Sequence, residues 1–253
     1  MTGDALKAAL YLEAVLPMLP LLVRHDVSLA SSFEGPDVAV SFCGPDELCA
    51  RLAFTAGQPS VTFIPQSGDV RLWFPSAGQL IRAFDGLGRF TFALPVAGFT
   101  RLLRARRLQA AGQRLETLLN TRTDSHLGLH AWGSLAVGIR AAATWLRRHP
   151  DGPAVLAQLG TGVAVFTCPA FPESLWIDLS TLTTGSGNPP ASPTVRIEFA
   201  DLVTVLAELD HQLDAPAALG LGKLRITGYL PLAENLGQIM LKAGNLLKQG
   251  ARS

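Results

Sequence analysis

The hexapeptide VAVSFC at residues 38–43 returns as VAVFTC at 163–168, and VRLWF at 70–74 returns as VRIEF at 195–199. Both pairs are 125 residues apart. The same offset sets RHD (24–26) over HPD (149–151), each closing an apolar stretch. One valine-rich strand can match another by chance. Two strands and a helix end that agree on one spacing point to a unit built twice. A repeat of that size is one ordinary domain, since domains cluster at roughly 100–150 residues. The chain is therefore expected to hold two domains in tandem, 1–125 and 126–253, joined near 120–134.

Each half reads as helix, strands, then helix. In the first, alternating or β-branched runs between turn residues predict strands near 27–33, 38–43, 50–56, 60–65, 69–74 and 89–94. Helices are predicted at 4–24, 76–85 and 97–119. In the second, strands are predicted near 163–167, 175–181, 194–199 and 223–228, and helices at 134–148, 200–210, 215–219 and 232–248. TTGSGNPPASP (183–193) reads as a loop. This grouping predicts an α+β fold, with helices packed on one face of a mainly antiparallel sheet. Strand 195–199 alternates Val195, Ile197 and Phe199 against Arg196 and Glu198, so one face is apolar. Gly228 is placed to end its strand and let the chain approach closely before turning. The last helix carries Leu232, Leu236, Ile239, Met240, Ala243, Leu246 and Leu247 on one side.

Hydrophobic residues make up 48% of the chain and charged ones 16%, so core material is plentiful and disorder is disfavoured. Charge is balanced in each half: 12 Lys/Arg against 11 Asp/Glu in 1–128, and 9 against 9 in 129–253. A nucleic-acid partner is not expected, because phosphate contact needs a basic face. One basic cluster stands out: Arg101, Arg104, Arg106, Arg107 and Arg114, with no acid among them. Their helix also carries Leu102, Leu103, Leu108, Leu115 and Leu118. Arginines beside an apolar stripe suit weak contact with an anionic membrane, although a solvated helix face has the same appearance. Residues 8–23 are apolar but contain Glu13, Pro17 and Pro20, and they read as a packed helix bent near the prolines rather than a membrane span or signal peptide. Cys43, Cys49 and Cys168 are odd in number and form no CxxC, so they read as buried thiols in a cytoplasmic protein, with no disulfide framework.

The stretch from VRIEFADLVTVLAEL through LDAPAALGLGKLRITGYLPLAENLGQIM resembles the sterol carrier protein type 2 superfamily of lipid-binding domains. The matching positions are Val195–Phe199, Leu202–Leu209, Asp214-Ala215-Pro216, Gly222–Gly228 and Leu232–Met240. The first half matches only through its likeness to the second, and it lacks the segment before the Gly-Lys-Leu strand. The resemblance implies two tandem sterol-carrier-like domains, the first divergent and the second the closer match. Each would be a curved sheet covered by helices, with an apolar tunnel between the layers. It implies fatty-acyl, sterol or isoprenoid-like ligands and no metal or organic cofactor. On that reading the second half holds the better ligand site, bounded by Ile197, Phe199, Val205, Leu209, Leu224, Ile226, Leu236, Ile239 and Met240. Nine of the twelve phenylalanines lie in the first half, so the second has fewer rings to fill its interior, although rings also line ligand sites.

Residues that carry chemistry are sparse. There is no GxSxG, HExxH or P-loop, and Gly220-x-Gly222 lacks a third glycine and precedes a strand. His126 and His130 are four apart beside Asp124, but no further ligand is apparent and they read as linker residues. His211 suits the end of its helix, and Asp178 reads as an outward strand residue. Cys43 and Cys168 fall at equivalent repeat positions, which favours packing over nucleophilic roles. The first expectation is a protein that binds or carries a hydrophobic small molecule without covalent chemistry. The alternatives are an enzyme using the same pocket on a terpenoid- or polyketide-like substrate, or an accessory scaffold of lipid or quinone biosynthesis. No acid–base pair can be singled out, which leans against the enzyme.

Overall fold

The computed structural model describes residues 2–31, 33–34, 36–64, 70–85, 94–97, 102–122 and 126–248. The chain divides into two compact units, Met1–Thr121 together with Leu246–Ser253, and Arg122–Asn245. Both contain helices and a mixed sheet, and the fold is α+β.

The first unit opens on helix α1 (Gly3–Leu10), capped by Thr2, whose hydroxyl accepts from Ala5 N. A π-helical turn, Tyr11–Val15, follows, then α2 (Met18–Leu22). The wide turn answers the sequence locally. Pro17 has no N–H to give, and Leu16 N reaches back five residues to Tyr11 O at 2.9 Å. Near the prolines the helix is thus interrupted by this turn. Gly3–Leu22 is long and apolar enough by length and composition to cross a membrane, but 89% of its most apolar window is buried inside the fold, as in a core helix.

Val27–Ser31, expected as a strand, is instead helix α3. Asp26 decides this: its carboxylate accepts from Leu29 N at 2.8 Å and so caps the turn. Strands β1 (Val38–Cys43), β2 (Cys49–Thr55), β3 (Gln58–Thr62), β4 (Val70–Trp73) and β5 (Leu94–Ala97) form a sheet in the order β3-β2-β1-β4-β5. β1 and β4 are parallel, and the other neighbours are antiparallel. Helix α4 (Ala77–Asp85) follows β4, and α5 (Leu102–Asn120) follows β5. Most of the strand predicted at 89–94 lies outside the described residues. Rings fill this core: Phe33 stacks on Phe54 at 4.5 Å, Tyr11 on Phe84 at 5.5 Å, and Phe42 meets Phe84 edge-on at 5.8 Å. Two polar groups near it share one partner. Lys7 Nζ lies 3.5 Å from Asp85, and the Tyr11 hydroxyl donates to the same carboxylate. Burial, then that hydrogen bond, push the Tyr11 phenol far above its usual range.

In the second unit α6 (Leu127–Arg148) begins seven residues earlier than expected, and α7 (Gly152–Leu159) was not expected at all. Strands β6 (Val163–Thr167), β7 (Leu175–Asp178), β8 (Thr183–Ser186), β9 (Val195–Phe199) and β10 (Leu224–Gly228) take the order β10-β9-β6-β7-β8. With β6 read for β1, β7 for β2 and so on, this is the order of the first sheet. The parallel pair falls in the same place, between β6 and β9. β8 lies in the expected loop. It pairs with β7 so that Gly185 faces Trp176, and a Cβ at Gly185 would collide with the indole. Helices α8 (Leu202–Leu209), α9 (Ala215–Gly220) and α10 (Leu230–Lys248) follow, α10 belonging to this unit as far as Asn245.

The cysteine reading needs correction. Cys43 and Cys49 are joined by a disulfide, and Cys168 alone is free and buried. The two half-cystines face each other across the β1–β2 hairpin, a pairing that becomes visible only once the strand register is known.

Candidate functional site

The β9–β10 ladder sets the floor of the candidate site. Its register pairs Ile197 with Ile226 and Phe199 with Leu224, so four predicted residues share one face. Ile197, Phe199 and Leu224 are buried, whereas Ile226, on the edge strand, is only half-buried. Gly228 ends β10 as expected. It has φ 97, and its Cα passes so close to the Thr194 carbonyl that a side chain there would collide with it.

Helix α8 packs on β9 and against α6. Asp201 fixes its start, accepting from Thr204 N and Oγ1 at 2.8 Å each. Those bonds hold the Asp201 carboxyl below its usual range. Val205 on α8 is fully buried and Leu209 half-buried. Leu236 and Ile239 lie on the buried stripe of α10 with Leu232 and Ala243. Met240, half-buried, turns to α6, where its Cε comes within 3.1 Å of where a Cβ on Gly138 would stand. Lys242 reaches the ring of Trp145 on the same helix at 5.8 Å. The structure thus joins Ile197, Phe199, Leu224 and Ile226 on one sheet face and sets Val205 and Leu209 on the helix that follows. From α10, Met240 and Lys242 reach α6 at Gly138 and Trp145.

Sequence reasoning missed Glu208. It is half-buried beside Leu209, and burial raises its carboxyl above the usual range, with His211 opposing. The signal was present, a single acid in the apolar run LVTVLAEL. The raised value has a testable sign. Above about pH 4 the unfolded chain gives up this proton while the folded protein still holds it, so stability falls as pH rises through that window. Glu208→Gln is expected to flatten the fall and raise the thermal midpoint at neutral pH. Thermal unfolding followed between acid and neutral pH checks this.

The remaining candidates sit elsewhere. His126 precedes α6, and His130 is buried within it. Among the described residues no group of three or more His, Cys, Asp or Glu could hold a metal. His211 is exposed, just beyond α8, with φ 58. Asp178 accepts from Ser180 N at 2.9 Å and from its hydroxyl, which holds the carboxyl low. Burial pushes the Cys168 thiol up. Arg140 on α6 is half-buried, and burial lowers its guanidinium to about 10. It stands about 200° round the helix from Gly138 and so faces away from the Met240 contact. Of the basic cluster, Arg114 turns to the buried Asp26, at 2.7 Å. Arg101 and the side chains of Arg104, Arg106 and Arg107 lie outside the described residues.

No protein-family model and no curated protein sequence matches the chain. Part of it is similar to solved sterol carrier protein 2 domains. Sterol carrier protein 2 like 2 of Aedes aegypti shares 26% identity over 42% of this chain and 94% of its own, with a TM-score of 0.31. Sterol carrier protein domain 2 of Helicoverpa armigera shares 15%, over 44% and 89%, with a TM-score of 0.35. Sterol carrier protein 2 of Yarrowia lipolytica, in its apo form, shares 16%, over 49% and 97%, with a TM-score of 0.37.

Proposed function

We propose that the second unit binds a hydrophobic small molecule, fatty-acyl, sterol or isoprenoid-like, on the apolar face of β9 and β10, and holds it without covalent chemistry. The incomplete cover of that face carries the reading. Ile226, Leu209 and Met240 lie among buried neighbours yet stay half-exposed. Val203, Leu219, Leu221, Tyr229 and Leu230 are exposed as well, so among the described residues the large exposed apolar side chains of this unit all fall, along the sequence, between the start of α8 and the start of α10. Leaving a Leu or Ile side chain in water forgoes roughly 1.5–3 kcal/mol, and an apolar ligand would recover part of it. The ligand class rests on the likeness of Val195–Met240 to sterol carrier domains. The same reading treats 1–125 and 126–253 as tandem copies, supported by their common strand order, with the ring-filled first unit leaving less room for a guest.

Titration with a fluorescent fatty acid tests this. Ile226→Trp adds bulk where the cover is thin, so it is expected to weaken binding about tenfold or more, about 1.4 kcal/mol, with little change in thermal stability. Overfilling an already closed core would instead cost roughly 1–3 kcal/mol of stability. A destabilised variant of a parent that binds no fatty acid would make these residues ordinary core.

A further inference from the structure

The hairpin joining β1 to β2 ends in the loop Gly44–Leu48, and its mouth is closed by the Cys43–Cys49 disulfide. Beyond the bridge Asp46 and Glu47 both have φ 58, and Leu48 N donates to Pro45 O at 3.2 Å. Two consecutive left-handed residues make the mirror-image turn that ordinarily takes Asn-Gly. Neither residue here is glycine, and in this region a side chain crowds the following carbonyl oxygen. The loop is therefore held against its local preference.

Three features hold it. The disulfide is one. The second is the bond from Gly44 N to Leu48 O, 2.8 Å long. The third is Leu48 itself, whose side chain is only 1% exposed. Gly44 stands beside Leu80 of α4 and the Phe74 carbonyl. Leu48 is thus a core side chain supplied by the loop itself.

We propose that Cys43–Cys49 is a redox latch on this loop, reduced by a dithiol, and that its reduction lets the turn relax and Leu48 withdraw. The exchange balances. A dithiol's thiolate attacks one sulfur and the other leaves as thiolate. The second thiol of the reductant then displaces the first cysteine, and two electrons and two protons pass from dithiol to protein. A disulfide-bearing partner runs the exchange backwards. Cys49 is half-buried, and Asp46 and Glu47 of the loop it closes are exposed, so a small dithiol can reach the bridge. The device belongs to the first unit alone. At the 125-residue offset Cys49 becomes Ser174, whose hydroxyl donates to Gly187 O at 2.6 Å. The latch is independent of ligand binding in the second unit.

The test treats folded protein with excess dithiothreitol, alkylates it, and digests it briefly with a protease that cuts after glutamate. Alkylation is expected at Cys43 and Cys49 and not at Cys168. Cleavage after Glu47 is expected to rise about tenfold or more on reduction, since cleavage follows the population of the open loop. Hydrogen exchange at the amides of Gly44 and Leu48 is expected to accelerate with it. Asp46→Asn with Glu47→Gly suits the turn and is expected to keep those amides slow in the reduced protein. A bridge that resists dithiothreitol in the folded state overturns the proposal, as does unchanged cleavage and exchange after reduction. Alkylation of Cys168 as well would make the bridge a structural staple and overturn it too.

Discussion

Gly228→Ala is expected to destabilise the second unit by about 4 kcal/mol and to loosen β10 from β9, because it combines a forbidden backbone conformation with an overlap. The residue has φ 97, which a side chain resists. The added methyl would also run into the Thr194 carbonyl, and it would lie 3.1 Å from Thr194 C and 3.2 Å from Val195 Cα. These are backbone atoms, so no change of rotamer relieves the overlap. Relief requires moving the strand, and the bond from Tyr229 N to Thr194 O, 3.0 Å, breaks with it. Gly222 is the control. It too is left-handed, with φ 69, but nothing lies within 4 Å of where its Cβ would be. Gly222→Ala is therefore expected to cost only the backbone term of about 1–2 kcal/mol. Urea unfolding of both variants checks the difference, and equal midpoints would contradict the close approach at Thr194.

Arg114→Ala is expected to cost the first unit about 3–5 kcal/mol, the usual result of stripping the counter-ion from a buried charge. Asp26 is 5% exposed, and Arg114 donates to its Oδ2 from both Nε, at 3.2 Å, and Nη2, at 2.7 Å. Without the guanidinium the carboxylate keeps its capping bond from Leu29 N but loses this compensating charge. Asp26→Asn can still cap α3, so adding it to an Arg114→Leu background should recover most of the loss, since removing both charges removes the mismatch. A double-mutant cycle by denaturant unfolding measures this. Additive losses would mean that the pair is not coupled.

The repeat anchors located the strands but not their facing. VAVSFC over VAVFTC sets Val40 on Val165. In the sheets Val40 pairs with Val70, and the residue paired with Val195 is Ala164. The first strand is thus one residue out of register with the sequence match, and one residue reverses a strand's faces. The cause is burial on both sides. Val163, Ala164, Val165 and Phe166 are all 5% exposed or less, as are Val40, Ser41 and Phe42, so no polar alternation marks an outer face. β9 and β10 each have one solvent side, with Arg196, Glu198, Arg225 and Thr227 on it, and there the alternation placed Ile197, Phe199, Leu224 and Ile226 together. Val27–Ser31 misled because the alternation of Val27, Leu29 and Phe33 says nothing of the cap that Asp26 supplies. β8 was hidden because its Gly185 answers to Trp176, a neighbour across the sheet. How far Leu209, Ile226 and Met240 remain open to water depends on tertiary packing, and no local pattern encodes it.

Mass spectrometry of the organic extract of the purified protein shows whether it carries a lipid. The expected result is a hydrophobic molecule with an acyl, sterol or isoprenoid skeleton, carried in stoichiometric amount by the parent protein and depleted in Ile226→Trp. A parent that yields no such compound, and takes up no fatty acid when it is offered, would contradict it.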